Sequence, residues 1–110
     1  MSAYITIETI LKAHGLKYEK EHKFHDKRKF RFDYAVPDIK LAIEYEGGTW
    51  SGGAHTRGKH YSSDCEKYNL AQINGWIVLR YTTDTVNSVE QIYNDILDVK
   101  LYRRIENENR

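Results

Sequence analysis

Three carboxylates lie on two neighbouring segments in which residues alternate between apolar and polar. Asp33 belongs to the run from Phe30 to Ala35, and Glu44 and Glu46 belong to the run from Leu41 to Glu46. Successive residues of a β-strand point to opposite faces of a sheet. The two runs therefore predict a hairpin with one acid on its first arm and two acids on its second.

The other face of the first arm carries the aromatic residues Phe30, Phe32 and Tyr34. Burial of that face would gather all three acids on the opposite side of the sheet. Acids gathered in this way repel one another, so a cation is expected among them. Hard divalent ions such as Mg²⁺ bind carboxylate oxygens, water and phosphate, a chemistry that suits phosphodiester hydrolysis. We predict a Mg²⁺ site there, at which Mn²⁺ would substitute. An alternative interpretation needs no metal: alternation alone would place the acids on the solvent-exposed face of an antiparallel strand.

The first half of the chain predicts the elements that position these acids. Apolar residues at helical spacing, followed by Gly15, predict an opening helix, and Tyr18 to Phe24 predicts a strand. A turn over Val36 to Ile39 would join the two arms of the hairpin. The segment from Gly47 to Lys59 is expected to be a loop, because it is rich in glycine.

The second half predicts a helix, a strand and a last helix. The middle helix should begin near Ser63 and end at Gly75, and the apolar run from Trp76 to Tyr81 predicts a buried strand. The last helix should start near Ser88. Its apolar stripe is wide enough to cover a sheet and consists of Val89, Ile92, Ile96 and Val99 beside Tyr93, Leu97 and Leu101.

The predicted order is helix, three strands, helix, strand, helix, which indicates an α/β fold with a mixed central sheet flanked by helices. The 110 residues contain no repeat or linker-like run, so we expect a single domain over residues 1–110. Cys65 is the one cysteine, and neither a signal peptide nor a membrane-spanning run is evident. These features predict an intracellular, cytoplasmic protein that does not contact membranes.

The hairpin and the later strand resemble the PD-(D/E)XK nuclease superfamily, over about half of the chain from Phe30 to about Val86. The resemblance rests on the segments RFDYA, LAIEYEGG and GWIVLRYT. It is strongest to the small stand-alone enzymes related to very-short-patch repair endonucleases, several of which are carried by phages. It implies a restriction-endonuclease-like αβββαβ core with DNA as substrate, and it assigns the metal to Asp33, Glu44 and Glu46. A phage-encoded enzyme would act in the host cytoplasm.

The sequence departs from that superfamily in one respect. The usual lysine, two residues after the second acid, would stand at Glu46. Lys67 is our candidate replacement, because His60, Asp64 and Lys67 share one face of the predicted helix. Such a lysine could hold the attacking water or steady the phosphate, and His60 could act as a base. The alternative is a surface lysine paired with Asp64 or Ser63.

Basic residues in two segments predict contacts with phosphates. The glycine-rich segment from Gly53 to His60 matches the phosphate-binding P-loop motif except at its last position, where His60 replaces the serine or threonine. His60 could also join His55 and Cys65 as zinc ligands, at a spacing that matches no common zinc site. The predicted nucleic-acid contacts are Arg31, His55, Arg57, Lys59, Lys27 and Arg28.

Two other functions remain open at the level of sequence. A nucleic-acid-binding module of the same fold that lost catalysis would explain the missing lysine, although a binder gains nothing from acids facing phosphates. A protein-interaction adaptor would rest on the small size and the helical C-terminal stripe alone. A homodimer would supply two active sites for cutting both strands, and RNA is an alternative to DNA.

Overall fold

The computed structural model describes residues 2–47, 53–86 and 88–109, and for residues 53–61 it describes the backbone alone. The elements are α1 (Ala3–Ala13), β1 (Glu19–Lys23), β2 (Arg31–Val36), a short 3₁₀ helix (Pro37–Ile39), β3 (Leu41–Glu46), α2 (Gly53–Ile73), β4 (Ile77–Thr82) and α3 (Val89–Glu108). This is the predicted order. In the described part of the chain, no helix is long and apolar enough to cross a membrane.

The four strands form one sheet in the order β1, β2, β3, β4. Neighbours β1–β2 and β2–β3 are antiparallel, whereas β3 and β4 run parallel and α2 makes the crossover between them. The sheet is therefore mixed, as the sequence predicts. The strand predicted to be buried, β4, lies at the edge, and its Ile77, Val78 and Leu79 are only half-buried.

Helices cover both faces of the sheet. On one face α1 and α3 pack with Tyr34, Val36 and Ile43 into the larger core cluster. On the other face, Ala71 of α2 packs with Phe32, which belongs to a smaller cluster. Two apolar faces explain why alternation along the strands could not by itself identify one buried side.

The prediction that Phe30, Phe32 and Tyr34 share a face is wrong. Phe32 lies on the α2 side, stacked on Phe24 with ring centroids 4.2 Å apart, whereas Tyr34 lies on the α1–α3 side. The alternation is interrupted at Asp33, between them. Opposite this point on β1, Glu21 has a left-handed φ of 52°, a conformation that costs free energy for a residue with a Cβ. The interruption lets both aromatic side chains be buried, one on each face.

The start of α2 also differs from the prediction. Its backbone is helical from Gly53, so most of the segment expected to be a loop is helix and Ser63 is an internal residue rather than a cap. A glycine inside a helix, here Gly58, costs only about 1 kcal/mol relative to alanine, which a long helix tolerates. A helical backbone also rules out the P-loop interpretation of this segment.

The prediction that a glycine ends each of the first two helices is confirmed. Gly15 has a φ of 71° and follows α1, and Gly75 has a φ of 85° and follows α2. Left-handed backbone at these positions favours glycine because it lacks a Cβ. These two turns set where the chain enters β1 and β4.

Candidate active site

The site begins where β2 and β3 separate. The last backbone pair of their ladder is Tyr34 with Ile43, and beyond it the Tyr45 amide donates to Oδ2 of Asp33 at 2.8 Å. The aspartate side chain thus takes the place of a strand carbonyl as acceptor. This bond fixes the Asp33 carboxylate beside β3 at the level of Glu44.

Glu44 is the acid most removed from water, with 5% of its surface exposed. Burial raises the pKa of Glu44 to about 7, the Lys67 ammonium acts to lower it, and the neighbouring Asp33 carboxyl raises it again. An ionised carboxylate in such a place loses its hydrating water, and a bound cation would offset the free-energy cost of that loss. Asp33 and Glu44 therefore form an adjacent pair of hard oxygen donors.

Lys67 reaches this pair from α2. Its Nζ donates to Oε1 of Glu44, and its side chain is 15% exposed. The same ammonium lies 5.9 Å from the centroid of the Phe32 ring. The interpretation of Lys67 as a surface lysine paired with Asp64 or Ser63 is therefore wrong. The helix thus brings a lysine to the buried acid, and a catalytic role for Lys67 stays a prediction.

Glu46 has different partners. Its Oε1 accepts from Nε of Arg80 at 2.6 Å and from the Tyr68 hydroxyl at 3.1 Å. The Arg80 guanidinium stacks on the Tyr68 ring at 4.1 Å from the centroid. Burial, followed by the charges of Glu44 and Glu46, raises the pKa of Tyr68, so the phenol remains a donor. Glu46 thus belongs to a second group of polar side chains on the same face.

Sequence reasoning did not identify Arg80 or Tyr68. Arg80 is directly opposite Glu44 in the parallel ladder, and it is the one charged residue in β4. A lone arginine in an otherwise apolar strand was the available signal, because such a strand must present that residue to solvent or to an acid.

Among side chains that the structure describes, no three or more acids, histidines or cysteines form a group suited to holding a metal. The structure thus brings two of the predicted ligands, Asp33 and Glu44, close together, and Glu46 as a third ligand stays a prediction. Mg²⁺ commonly takes only one or two protein carboxylates and completes its shell with water and phosphate. The donor chemistry of the pair therefore fits a hard divalent ion.

The predicted phosphate contacts on the β1–β2 hairpin lie at the surface. Lys27 and Arg31 are exposed. Arg28 pairs with Glu66 of α2 at 2.8 Å and lies over the Phe30 ring, so the hairpin tip borders the α2 side of the sheet, where Lys67 meets Glu44. The side chains of His55, Arg57, Lys59 and His60 lie outside the described residues, and the proposals for them stay predictions.

Comparison with known proteins supports the fold. No protein-family model matches the chain, and no curated protein matches it in sequence. A solved structure titled "Homing Endonuclease I-Bth0305I Catalytic Domain" matches with a TM-score of 0.71 and 19% sequence identity, covering 94% of this chain and 97% of that one. The chain therefore has the mixed α/β fold of a nuclease catalytic domain, and the predicted fold class is confirmed.

Proposed function

We propose that this chain is a metal-dependent endonuclease that hydrolyses phosphodiester bonds in DNA, in the manner of very-short-patch-repair-like enzymes of the PD-(D/E)XK superfamily. The observation that carries the proposal is the group formed by Asp33, Glu44 and Lys67 where β2 and β3 separate. Two acids and a lysine are the residue types that the superfamily uses, here with the lysine supplied by α2. The cytoplasmic setting expected from the sequence agrees with such a role.

In this proposal Asp33 and Glu44 hold Mg²⁺, or Mn²⁺ in its place. A divalent ion at this position would polarise the phosphate and favour ionisation of water. The Tyr45 amide keeps Asp33 aimed at the site, because it donates to Oδ2. Since this hydrogen bond uses only one lone pair, the carboxylate retains capacity for a ligand.

Lys67 would contact the attacking water and the phosphate that is cleaved. Its ammonium has three donors, and its bond to Glu44 uses one of them. The remaining donors could orient the attacking water and bind a non-bridging oxygen as negative charge accumulates there. The low exposure of Lys67 strengthens both interactions, since fewer waters compete.

Glu46 and Arg80 would hold the substrate strand. The ion pair and the stack on Tyr68 fix the guanidinium plane, which is suited to a phosphate. The contacts of Glu46 favour this positioning role, while its predicted role as a third ligand requires release of Arg80. Titration of Mn²⁺ into Glu46→Gln separates the two, because only a ligand changes the affinity of the free protein for the ion.

The first test is cleavage of supercoiled plasmid and branched DNA with Mg²⁺, with Mn²⁺ and with EDTA. We expect metal-dependent cutting that Asp33→Asn and Glu44→Gln each slow at least about 100-fold, because a bound metal supplies several kcal/mol of transition-state stabilisation. Asp38→Asn is the matched control, since Asp38 is an exposed acid on the 3₁₀ helix. Circular dichroism would establish that each variant is folded.

Three outcomes would contradict the proposal in different ways. Full activity in both acid variants would mean that the site is elsewhere. Tight DNA binding without cleavage or metal binding would favour the binding module, and cleavage restricted to RNA would change the substrate. Calorimetric titration with Mn²⁺ in the absence of DNA gives a readout independent of turnover, and Asp33→Asn should abolish the binding signal.

A further inference from the structure

The outer surface of α3 carries a row of exposed apolar side chains. Tyr93, Leu97, Leu101 and Ile105 are 40%, 37%, 46% and 57% exposed. They follow one another at intervals of four, so they form a ridge along the helix. Of the stripe that the sequence predicts to cover the sheet, the structure buries Ile92, Ile96 and Val99 and leaves the other members exposed, namely Val89, Tyr93, Leu97 and Leu101. Tyr93 stacks on His14 with ring centroids 4.0 Å apart, and the rest of the outer row faces solvent.

Two exposed charges of opposite sign flank the centre of this row, Glu90 in the first turn of α3 and Arg104 near its end, where Arg104 also pairs with Glu108 of the same helix. Glu90 and Arg104 are both exposed, each seven residues from Leu97. Because Glu90 and Arg104 are opposite in charge and equally far from Leu97, this surface is complementary to its own copy turned end for end.

We propose that two copies of this chain associate through α3, packed antiparallel about a two-fold axis beside Leu97. Residues equally far from Leu97 then face each other across the interface. Leu97 meets its own copy, Leu101 meets Tyr93 of the second copy, and Arg104 meets Glu90 of the second copy. A parallel arrangement would place Arg104 against Arg104 and Glu90 against Glu90. Repulsion between these like charges disfavours it.

The size of the surface sets the expected strength. A helix of 20 residues is about 30 Å long, and a helix pair of that length buries on the order of 1,000 Å² in total, the lower end for a specific interface. We therefore expect weak, reversible association. Because α3 and α2 lie on opposite faces of the sheet, the interface leaves the α2 side open. Self-association is thus independent of the proposed catalysis.

The test is sedimentation velocity of the whole chain over a wide range of concentration. We expect a monomer–dimer equilibrium that Leu97→Lys weakens at least about 100-fold, since the substitution puts two charges on the two-fold axis. Ile73→Lys is the matched control, because Ile73 is an exposed apolar residue at the end of α2, away from the ridge. Thermal unfolding would show that both variants are folded.

A charge swap tests the antiparallel geometry itself. Glu90→Arg and Arg104→Glu should each weaken the dimer about 10-fold, and the double variant should restore it to near the wild-type value. A wild-type chain that stays monomeric, or a dimer that Leu97→Lys leaves intact, would overturn the proposal and leave the ridge to a partner of another sequence. Failure of the double variant to recover would overturn the antiparallel pairing.

Discussion

At the scale of single residues, the molecule separates two glutamates that look equivalent in sequence. Glu44 and Glu46 lie two positions apart on one strand, yet one is buried against a lysine and the other is paired with an arginine at the rim. The difference comes from what α2 and β4 place opposite each side chain. Burial consequently opposes the ionisation of Glu44.

This opposition predicts a pH dependence of stability in the metal-free protein. Because the folded pKa of Glu44, about 7, exceeds the ordinary value of 4.5, its contribution to stability is complete below about pH 4.5 and is lost as the pH rises through about 7. The loss should amount to as much as about 3 kcal/mol. Urea unfolding in chelator at about pH 5 and pH 8 measures it.

Glu44→Gln is the control for that measurement. It removes the titrating group while keeping its size, so the loss of stability between the two pH values should shrink relative to wild type. Groups that do not interact with Glu44 titrate alike in both proteins and cancel in the difference, whereas Asp33 and Lys67 interact with it directly. Equal pH dependence in the two proteins would contradict the raised pKa.

At the scale of elements, one side chain of α3 joins three segments that are distant in sequence. Arg103 donates through Nε to the Ile39 carbonyl at 2.8 Å and through an Nη2 to the Gly75 carbonyl at 2.6 Å, with the Lys40 carbonyl at 3.3 Å. These carbonyls belong to the turn before β3 and the turn after α2. Arg103 therefore holds the start of the parallel strand pair against the last helix.

Arg103→Ala should lower the free energy of unfolding by about 1–2 kcal/mol, because the partly buried Ile39 carbonyl loses its charged donor and two exposed carbonyls lose theirs to water. The neighbouring Arg104→Ala should cost under about 0.5 kcal/mol, since Arg104 makes only an exposed ion pair within α3. Chemical denaturation of both variants, at a protein concentration too low for dimer, gives the comparison. Equal losses would mean that the carbonyl contacts contribute little.

At the scale of the whole molecule, the balance of charge conceals an uneven distribution. The chain has 17 basic and 16 acidic residues, yet Lys27, Arg28 and Arg31 are concentrated at the tip of the β1–β2 hairpin. Arg28 ties that tip to Glu66 on α2. Basic residues on the same side as the proposed site would hold the phosphates of DNA while the acids act on one of them.

The hairpin predicts a specific salt dependence. The double variant Lys27→Ala with Arg31→Ala should bind all DNA sequences more weakly and lower the slope of log affinity against log salt concentration by about 2. Lys12→Ala should leave both quantities unchanged, because Lys12 is an exposed residue of α1, across the sheet from α2. Fluorescence anisotropy at several salt concentrations measures the slope, and a slope equal to that of wild type would remove the hairpin from the interface.

The order and type of the elements followed from the sequence alone, because the signals for them are local. The alternation of Leu41 to Glu46 and the glycines at 15 and 75 act within a few residues of themselves. The identity of Asp33, Glu44 and Lys67 as candidates for one site also came from the sequence, through spacing and resemblance.

The face that each strand residue occupies and the partner that each acid takes depend instead on how the elements pack in the folded chain. The break at Asp33 depends on its bond to Tyr45 across the hairpin, and the separation of Glu46 from Glu44 depends on Arg80, 34 residues further along the chain than Glu46. The exposed ridge of α3 likewise depends on how that helix is rotated against the sheet. Contacts between distant segments set all three, and a local pattern of apolar and polar residues does not encode them.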